Sequence, residues 1–335
     1  MNMKLRVAIN GFGRIGRAFY KLASFQDDME VVVVNDLGEQ ANLMYLLKYD
    51  SVYGKWNKPV TAKFIQESDM AKLPWRDLNI DVVVESTGFF TEYEKAKGHI
   101  LAGAKRVVIS APGKGEGDTV LMGINEDKLK TCQISSNGSC TTNAASPVVA
   151  IIEEALDIEK ALLDTIHSYT ASQSTVDGPN KKDWREGRAA AHNIVPSTTG
   201  AATSVTKAVT GVPFFDGISV RVPVLVGSYV DLTFVTEKNT NKEGVNEILR
   251  KAAEQERWRG IFKVSEEPLV SSDIIGDSYA SIADLAMTRV VGGNLVKVLA
   301  WYDNEVGYAN TLVRHVAKFG AYIKIPINTP INTSA

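Results

Sequence analysis

A cysteine among small polar residues at the start of a helix is a candidate nucleophile, and this chain has one. It stands in the run Ser135-Ser136-Asn137-Gly138-Ser139-Cys140-Thr141-Thr142-Asn143. The apolar stripe Val148, Val149, Ile152 and Leu156, with Pro147 in its early turns, predicts a helix beginning at or just after Cys140. The positive end of the helix dipole favours thiolate and lowers a thiol from its free value of about 8.5. The other cysteine, Cys132, falls in a predicted apolar strand and reads as a small buried hydrophobe. An activated thiol needs a base, and the chain offers four histidines: His99, His167, His192 and His315. His99 and His315 fall on predicted helices as surface or packing residues, and His192 has no clear role in the stretch 188–196. His167 closes the apolar run 161–166 and precedes Ser168-Tyr169-Thr170. A strand-end histidine is well placed at a cleft. His167 is therefore favoured as the partner, although spacing alone does not bring it against Cys140.

A second constellation can hold a dinucleotide. Gly11-Phe12-Gly13-Arg14-Ile15-Gly16 follows a predicted strand and opens a predicted helix. In that setting Gly11 permits the tight turn, Gly13 lets a pyrophosphate approach the backbone, and Gly16 allows close packing of helix on strand. The helix N-terminus adds amide donors and a positive dipole end. A glycine-rich turn that binds nothing is the competing reading, and the strand-to-helix context argues against it. Asp36 ends the second strand, twenty residues after Gly16. A carboxylate there can accept from both ribose hydroxyls and would repel a 2′-phosphate, which favours NAD over NADP.

The elements that must carry these residues change character along the chain. Between residues 5 and 139, apolar runs at 5–10, 30–35, 81–85, 106–110 and 132–135 alternate with helical stretches such as 14–25 and 93–102. Runs without alternation suit strands buried on both faces, and the whole predicts a Rossmann-type doubly wound parallel sheet. From about 140 to 303 the strands alternate. In 228–236, Tyr229, Asp231 and Thr233 interleave with Val230, Leu232 and Phe234. Thr240-Asn241-Lys242-Glu243 has the form of a capping box, with Val245, Ile248, Leu249 and Ala252 following at helical spacing. This half is expected to be a mainly antiparallel sheet with helices on one side. A last helix spans 306–324, and a loose tail from Ile325 contains Pro326 and Pro330.

Composition narrows the function classes. Over 335 residues, 44% are hydrophobic and 23% charged, the balance of a soluble globular chain rather than a disordered one. Lys plus Arg number 37 against 39 Asp plus Glu, so the net charge of −2 gives no global field for nucleic acid or an anionic membrane. No apolar run approaches the roughly 18 residues of a membrane span. With fold-like sequence from Leu5, no signal peptide is expected. Two cysteines make no disulfide scaffold, and a reducing cytoplasm is expected.

Taken together, the glycine loop, Asn35-Asp36, Tyr49-Asp50-Ser51-Val52-Tyr53-Gly54-Lys55 and Ser139-Cys140-Thr141-Thr142-Asn143 closely resemble phosphorylating, NAD-dependent glyceraldehyde-3-phosphate dehydrogenases. So do His167-Ser168-Tyr169-Thr170, Arg188-Ala189-Ala190-Ala191, residues 196–202 and Trp301-Tyr302-Asp303-Asn304-Glu305. The likeness runs from residue 5 to about 324, in order and at family spacing. It implies an NAD-binding domain over 1–139, completed by 304–335 through a last helix that returns to it, and a catalytic domain over 140–303. It also implies a homotetramer in which the loop at about 171–195 lies near a neighbouring subunit's cofactor.

By the same resemblance Cys140 is the nucleophile and His167 its acid/base partner, with no metal. Gly11, Gly13, Arg14, Ile15, Gly16, Asp36, Ser110 and Asn304 would contact NAD. Ser139, Thr141, Thr170, Thr199, Gly200 and Arg221 would hold glyceraldehyde 3-phosphate and inorganic phosphate. A lone strand arginine such as Arg221 is most often an ion-pair partner, but among hydroxyl donors near the cleft it suits anion binding. The chain departs from the usual pattern at Ala144, Val306, Ser68 and Glu186, none of which is Cys140 or His167. Two other readings stay open: an erythrose-4-phosphate dehydrogenase, and a nucleotide-binding sensor without catalysis.

Overall fold

The computed structural model describes residues 4–181 and 183–323. Short β-branched runs form the first sheet: β1 (Leu5–Asn10), β2 (Met29–Asn35), β3 (Lys63–Ile65), β4 (Val82–Glu85), β5 (Arg106–Ile109), β6 (Asp118–Thr119) and β7 (Ile134–Ser136). Their order is β3-β2-β1-β4-β5-β7-β6, and every pairing is parallel. Helices α1 (Arg14–Ala23), α2 (Gln40–Lys48) and α3 (Tyr93–Leu101) connect these strands. Successive strand side chains point to opposite faces. Val7, Ile9, Val34, Val82, Val84 and Val108 pack on one side with Phe19 and Tyr20 of α1. Ala8, Val33, Val83, Val107 and Ile109 pack on the other with Tyr93 and Ala96 of α3. Both faces are covered, which is why these runs read as apolar without alternation.

The second half is a mixed, mainly antiparallel sheet. Its strands are β8 (Ile158–Ser168), β9 (Val195–Thr198), β10 (Phe215–Val222), β11 (Ser228–Thr236), β12 (Phe262–Ser265), β13 (Ser281–Asp284), β14 (Arg289–Val291) and β15 (Leu295–Tyr302). They run in the order β9-β10-β8-β11-β15-β13-β12, with β14 beside β15. Two pairings are parallel, β8 with β10 and β12 with β13. Helices α4 (Cys140–Leu156), α5 (Ala201–Ala208) and α6 (Lys242–Ala253) pack together on one face. There Val148, Val149 and Ile152 meet Leu163, Val230, Leu232 and Phe234. The opposite face is wetter and carries the Lys297–Asp231 ion pair. The final helix α7 (Val306–Ala321) returns to pack on α1 and on the first sheet. Lys324, at its expected end, and the tail 325–335 lie outside the described residues. Among the described residues no helix is long and apolar enough to cross a membrane.

Two local expectations need correction. Helix α6 is capped by Asn241, whose Oδ1 accepts from the Gly244 N–H at 2.8 Å, rather than by Thr240. Thr240 is held in the preceding loop, its N–H bonded to the Gly293 carbonyl, and with Gly244 at the third helical position no reciprocal box forms. Cys132 lies just before β7 instead of inside it, half-buried, and burial pushes its thiol up to about 11. Of the surface and packing roles open to them, His99 and His315 take the packing one and are completely buried. Trp75 Nε1 donates to His99 Nδ1, which leaves the proton on Nε2, 2.9 Å from Glu85.

His315 is equally enclosed. Nδ1 lies 3.0 Å from the acceptor Asn137 Oδ1 and Nε2 lies 2.8 Å from Ser135 Oγ, a pairing that satisfies the neutral ring. Burial pushes its pKa down to about 3. An unfolded histidine titrates near 6.5. Below that pH the unfolded chain binds the extra proton, so stability present above about pH 6.5 is lost as pH falls toward 3. His315→Gln is expected to flatten the pH slope of unfolding free energy between about pH 6 and 4 by about 1.4 kcal/mol per pH unit. Urea midpoints across that range measure it, and an unchanged slope would mean that His315 is protonated in the folded protein.

Candidate active site

The glycine loop is built as its spacing requires. Gly11 has φ +95°, and a Cβ there would lie 2.6 Å from the Thr87 nitrogen. A Cβ on Gly16 would lie 2.2 Å from the Gly11 carbonyl oxygen, so that glycine lets α1 press onto the turn. A Cβ on Gly13 would meet nothing within 4 Å. The open position is the one where a pyrophosphate must come close. Gly13 caps α1 without a side-chain acceptor, so the first N–H groups of the helix, those of Arg14, Ile15 and Gly16, lack intrahelical partners. They form an anion site.

Asp36 sits just beyond β2. Its Oδ2 accepts from the Phe12 N–H at 2.6 Å and its Oδ1 from the Gly38 N–H at 2.7 Å. A carboxylate has about four lone-pair sites, so capacity remains for ribose hydroxyls while the same group ties the glycine loop to β2. Ser110 follows β5 and is half-buried, its N–H held by the Glu85 carbonyl. The Arg14 side chain turns away from the loop. It forms a two-point ion pair with Glu305 and a weaker one with Asp50 at 3.3 Å. Against its own desolvation, these carboxylates raise its pKa. Only the Arg14 backbone is left to face a dinucleotide.

Cys140 opens α4, whose N-cap is Ser139: its Oγ accepts from the Thr142 N–H at 3.0 Å. Cys140 Sγ lies 3.3 Å from His167 Nε2. The histidine stands near the end of β8, fully enclosed, its ring edge-on to Tyr302. Burial pushes the Cys140 thiol up, while Arg221 and the N–H and hydroxyl of Thr141 favour the thiolate. Burial first, then Arg221, pushes His167 down to about 3. Each group taken alone is therefore held neutral. Moving the proton from sulfur to Nε2 changes no net charge, and the two ions formed would stabilise each other at contact distance. The pair titrates as a unit.

Arg221 is placed by strand register. β8 and β10 are parallel, with His167 directly opposite Arg221. Its Nη1 lies 2.7 Å from His167 Nδ1, while the Ser168 carbonyl oxygen lies 2.6 Å from the same nitrogen. These neighbours make opposite demands. The carbonyl requires a proton on Nδ1, which leaves Nε2 free to accept from the thiol. The guanidinium requires Nδ1 as acceptor, which puts the proton on Nε2. Control of Arg221 is control of the tautomer.

Asn304 reaches the same site from the segment between β15 and α7. Its Oδ1 accepts from Ser168 Oγ at 2.9 Å, the Gly227 N–H at 3.1 Å and Ser228 Oγ at 3.2 Å. With the oxygen so engaged, the amide NH2 is the group available to a ligand. The remaining expected contacts are more dispersed. Thr141 Oγ1 points inward to Tyr302 OH at 3.0 Å, and Tyr302 OH also meets Thr165 Oγ1. Thr170 Oγ1 pairs with Ser172 Oγ at 3.1 Å. Thr199 Oγ1 accepts from the Ala201 N–H, and Gly200, with open space where a Cβ would be, caps α5 against α4. Tyr302 and Ser168 were not singled out from sequence. Each sits in a motif beside a residue that was, and that adjacency was the available signal.

Comparison with known proteins bears on this arrangement directly. Residues 5–93 match a family model described as the NAD binding domain of glyceraldehyde 3-phosphate dehydrogenase, and residues 139–304 match its C-terminal domain. A glyceraldehyde-3-phosphate dehydrogenase of Thermotoga maritima is 48% identical over 92% of this chain and 97% of its own. Those of Streptomyces avermitilis and Mycobacterium avium are each 45% identical, over 93% and 95% of this chain and 97% and 99% of their own. The chain belongs to the glyceraldehyde 3-phosphate dehydrogenase family. As a member of that family it is an NAD-dependent oxidoreductase. The residues present fit that cofactor: an uncluttered Gly13, free helix-start amides, and a carboxylate at Asp36 that disfavours a 2′-phosphate. Among the described residues no cluster of His, Cys, Asp and Glu is arranged to hold a metal ion.

Proposed function

We propose that this dehydrogenase oxidises glyceraldehyde 3-phosphate to 1,3-bisphosphoglycerate, with NAD and inorganic phosphate, through a covalent intermediate on Cys140. The observation that carries the reading is Cys140 Sγ at the start of α4, 3.3 Å from His167 Nε2. The Cys140 thiolate adds to the aldehyde carbon, the proton that sulfur gave to His167 Nε2 passes to the new alkoxide, and a thiohemiacetal results. The Gly11–Gly16 loop, Asp36, Ser110 and Asn304 would hold NAD, whose nicotinamide would supply the hydride acceptor. His167 takes the hydroxyl proton at Nε2 as the hydride leaves, and the carbon becomes a thioester. A phosphate oxygen then attacks that carbon, the C–S bond breaks, and the thiol is regenerated. Covalent capture divides one difficult oxidation into two accessible steps.

Arg221, with Ser139, Thr141, Thr170, Thr199 and Gly200, would hold the phosphate groups. A phosphate drawing Arg221 away from Nδ1 would leave that nitrogen to the Ser168 carbonyl, the tautomer in which Nε2 accepts a proton. Nucleotide-binding residues 1–139, completed by 304–335, and catalytic residues 140–303 are the division we assign. We assign a cytoplasmic homotetramer, as the family resemblance implies; the two unpaired cysteines are in keeping with a reducing compartment.

Initial rates for glyceraldehyde 3-phosphate and erythrose 4-phosphate, each with NAD and NADP, test the reading. The triose with NAD is expected to be preferred. Without phosphate, NADH is expected to form once per subunit, with sustained turnover on phosphate addition. A clear preference for the tetrose would replace the substrate, and no burst would leave a nucleotide-binding protein without this chemistry.

A further inference from the structure

Asn304 is bracketed by two buried acids, and neither belongs to the chemistry described above. Asp303 is completely enclosed, and among the described residues no cation pairs with it. Its charge is met by donors alone. Tyr53 OH donates at 2.8 Å, the Gly276 N–H at 2.8 Å, and the Glu305 and Val306 N–H groups at 2.9 and 2.8 Å. Glu305, on the other side, takes the two-point ion pair from Arg14. Both Tyr53 and Arg14 lead back to one residue. Asp50 Oδ1 accepts the Val52 and Tyr53 N–H groups, which shapes the turn that presents Tyr53, and Asp50 Oδ2 is 3.3 Å from Arg14.

The contacts therefore close a ring through Asp50, Arg14, Glu305, Asn304, Asp303 and Tyr53. Arg14 is also the residue that follows Gly13 in the dinucleotide loop. One tripeptide, 303–305, is thus pinned at both ends to the nucleotide-binding half. Its middle residue is pinned to the catalytic sheet through Ser168, Gly227 and Ser228. A buried carboxylate that loses one of its few donors must shift to find another, and the adjoining peptide moves with it.

We infer that Tyr53 is a positioning residue for hydride transfer, fixing the Asn304 amide through Asp303 so that one face of the nicotinamide meets the thiohemiacetal carbon. The inference rests on the proposed role of Asn304 at the nicotinamide, and the variants are chosen to separate the two. Tyr53→Phe keeps the ring and removes only the hydroxyl donor. Glu305→Gln breaks the opposite pin. Three quantities are read on each: the rate of the phosphate-free NADH burst, the C4 face that receives deuterium from 1-deuterio glyceraldehyde 3-phosphate, and hydrolysis of p-nitrophenyl acetate. The last uses the thiol and imidazole without hydride transfer.

Both variants are expected to slow the burst about tenfold, since displacements well below 1 Å suffice for such losses. Label is expected on both faces, with ester hydrolysis unchanged. A Tyr53→Phe burst at the wild-type rate with label on one face overturns the inference, as does ester hydrolysis falling in step with the burst. Asn304→Ala separates the layers. If it slows the burst and scrambles the label while Tyr53→Phe does neither, the inference alone fails. If Asn304→Ala leaves both untouched, the role of Asn304 fails and the inference with it.

Discussion

Cys140→Ser is expected to lower kcat for aldehyde oxidation by at least about four orders of magnitude, the scale on which removing a catalytic nucleophile acts. Serine is nearly isosteric, and its Oγ can take the Sγ position beside His167 Nε2 without disturbing α4, whose cap is Ser139 and not Cys140. What is lost is acidity and leaving-group ability. An alkoxide is far harder to form than a thiolate, and an oxygen ester resists phosphate attack where a thioester yields. NAD affinity should be unchanged, because the Gly11–Gly16 loop and Asp36 share no hydrogen bond with Cys140. Isothermal titration with NAD and a phosphate-free burst assay measure the two effects separately. Retained turnover would move the nucleophile elsewhere, and lost NAD binding would contradict the separation of cofactor and thiol sites.

What could be read from the chain before its fold was known followed the range of the interactions. Gly11, Gly13 and Gly16 were legible because each does its work within a few residues of itself, at a turn, an open approach and a tight crossing. Asp36 was legible because a strand end and a spacing of twenty residues place it. The helix start at Cys140 came from a local stripe of apolar side chains. His167 stood out only by standing at a strand end, and its contact with Cys140 depends on α4 crossing over β8.

Longer-range pairings left no such mark. Arg221 meets His167 through register between strands 54 residues apart, and a shift of one residue in β10 would turn its side chain to the other face. Arg14 looked like part of the dinucleotide loop, yet its guanidinium serves Glu305, 291 residues away. His99 and His315 could be read as surface or packing residues alike, because the groups that satisfy them, Glu85 with Trp75 and Ser135 with Asn137, arrive from other strands and loops. The common cause is that a polar residue's environment is set by whichever distant partner compensates its burial.

His167→Gln provides the sharpest test of how sulfur and imidazole share their proton. The variant is expected to lower kcat by about 10³, within the span usual for loss of a general acid/base. It should also move the pH midpoint for alkylation of Cys140 by iodoacetamide upward, past the free-thiol value of about 8.5. The sign follows from the site. Burial opposes the thiolate with or without the histidine, and the donors at the start of α4 and Arg221 favour it in both proteins. Only the wild-type protein has an acceptor 3.3 Å from sulfur that can take the proton and become a counter-ion. Removing it leaves burial opposed by the amides and Arg221 alone, so the midpoint rises. Arg221 gains freedom in the variant, because its contact with Nδ1 disappears, and this makes the expected rise a test of the ring rather than of the surrounding charge. An unchanged midpoint would mean that helix start and guanidinium already ionise the sulfur unaided. His167 would then act only on the substrate hydroxyl.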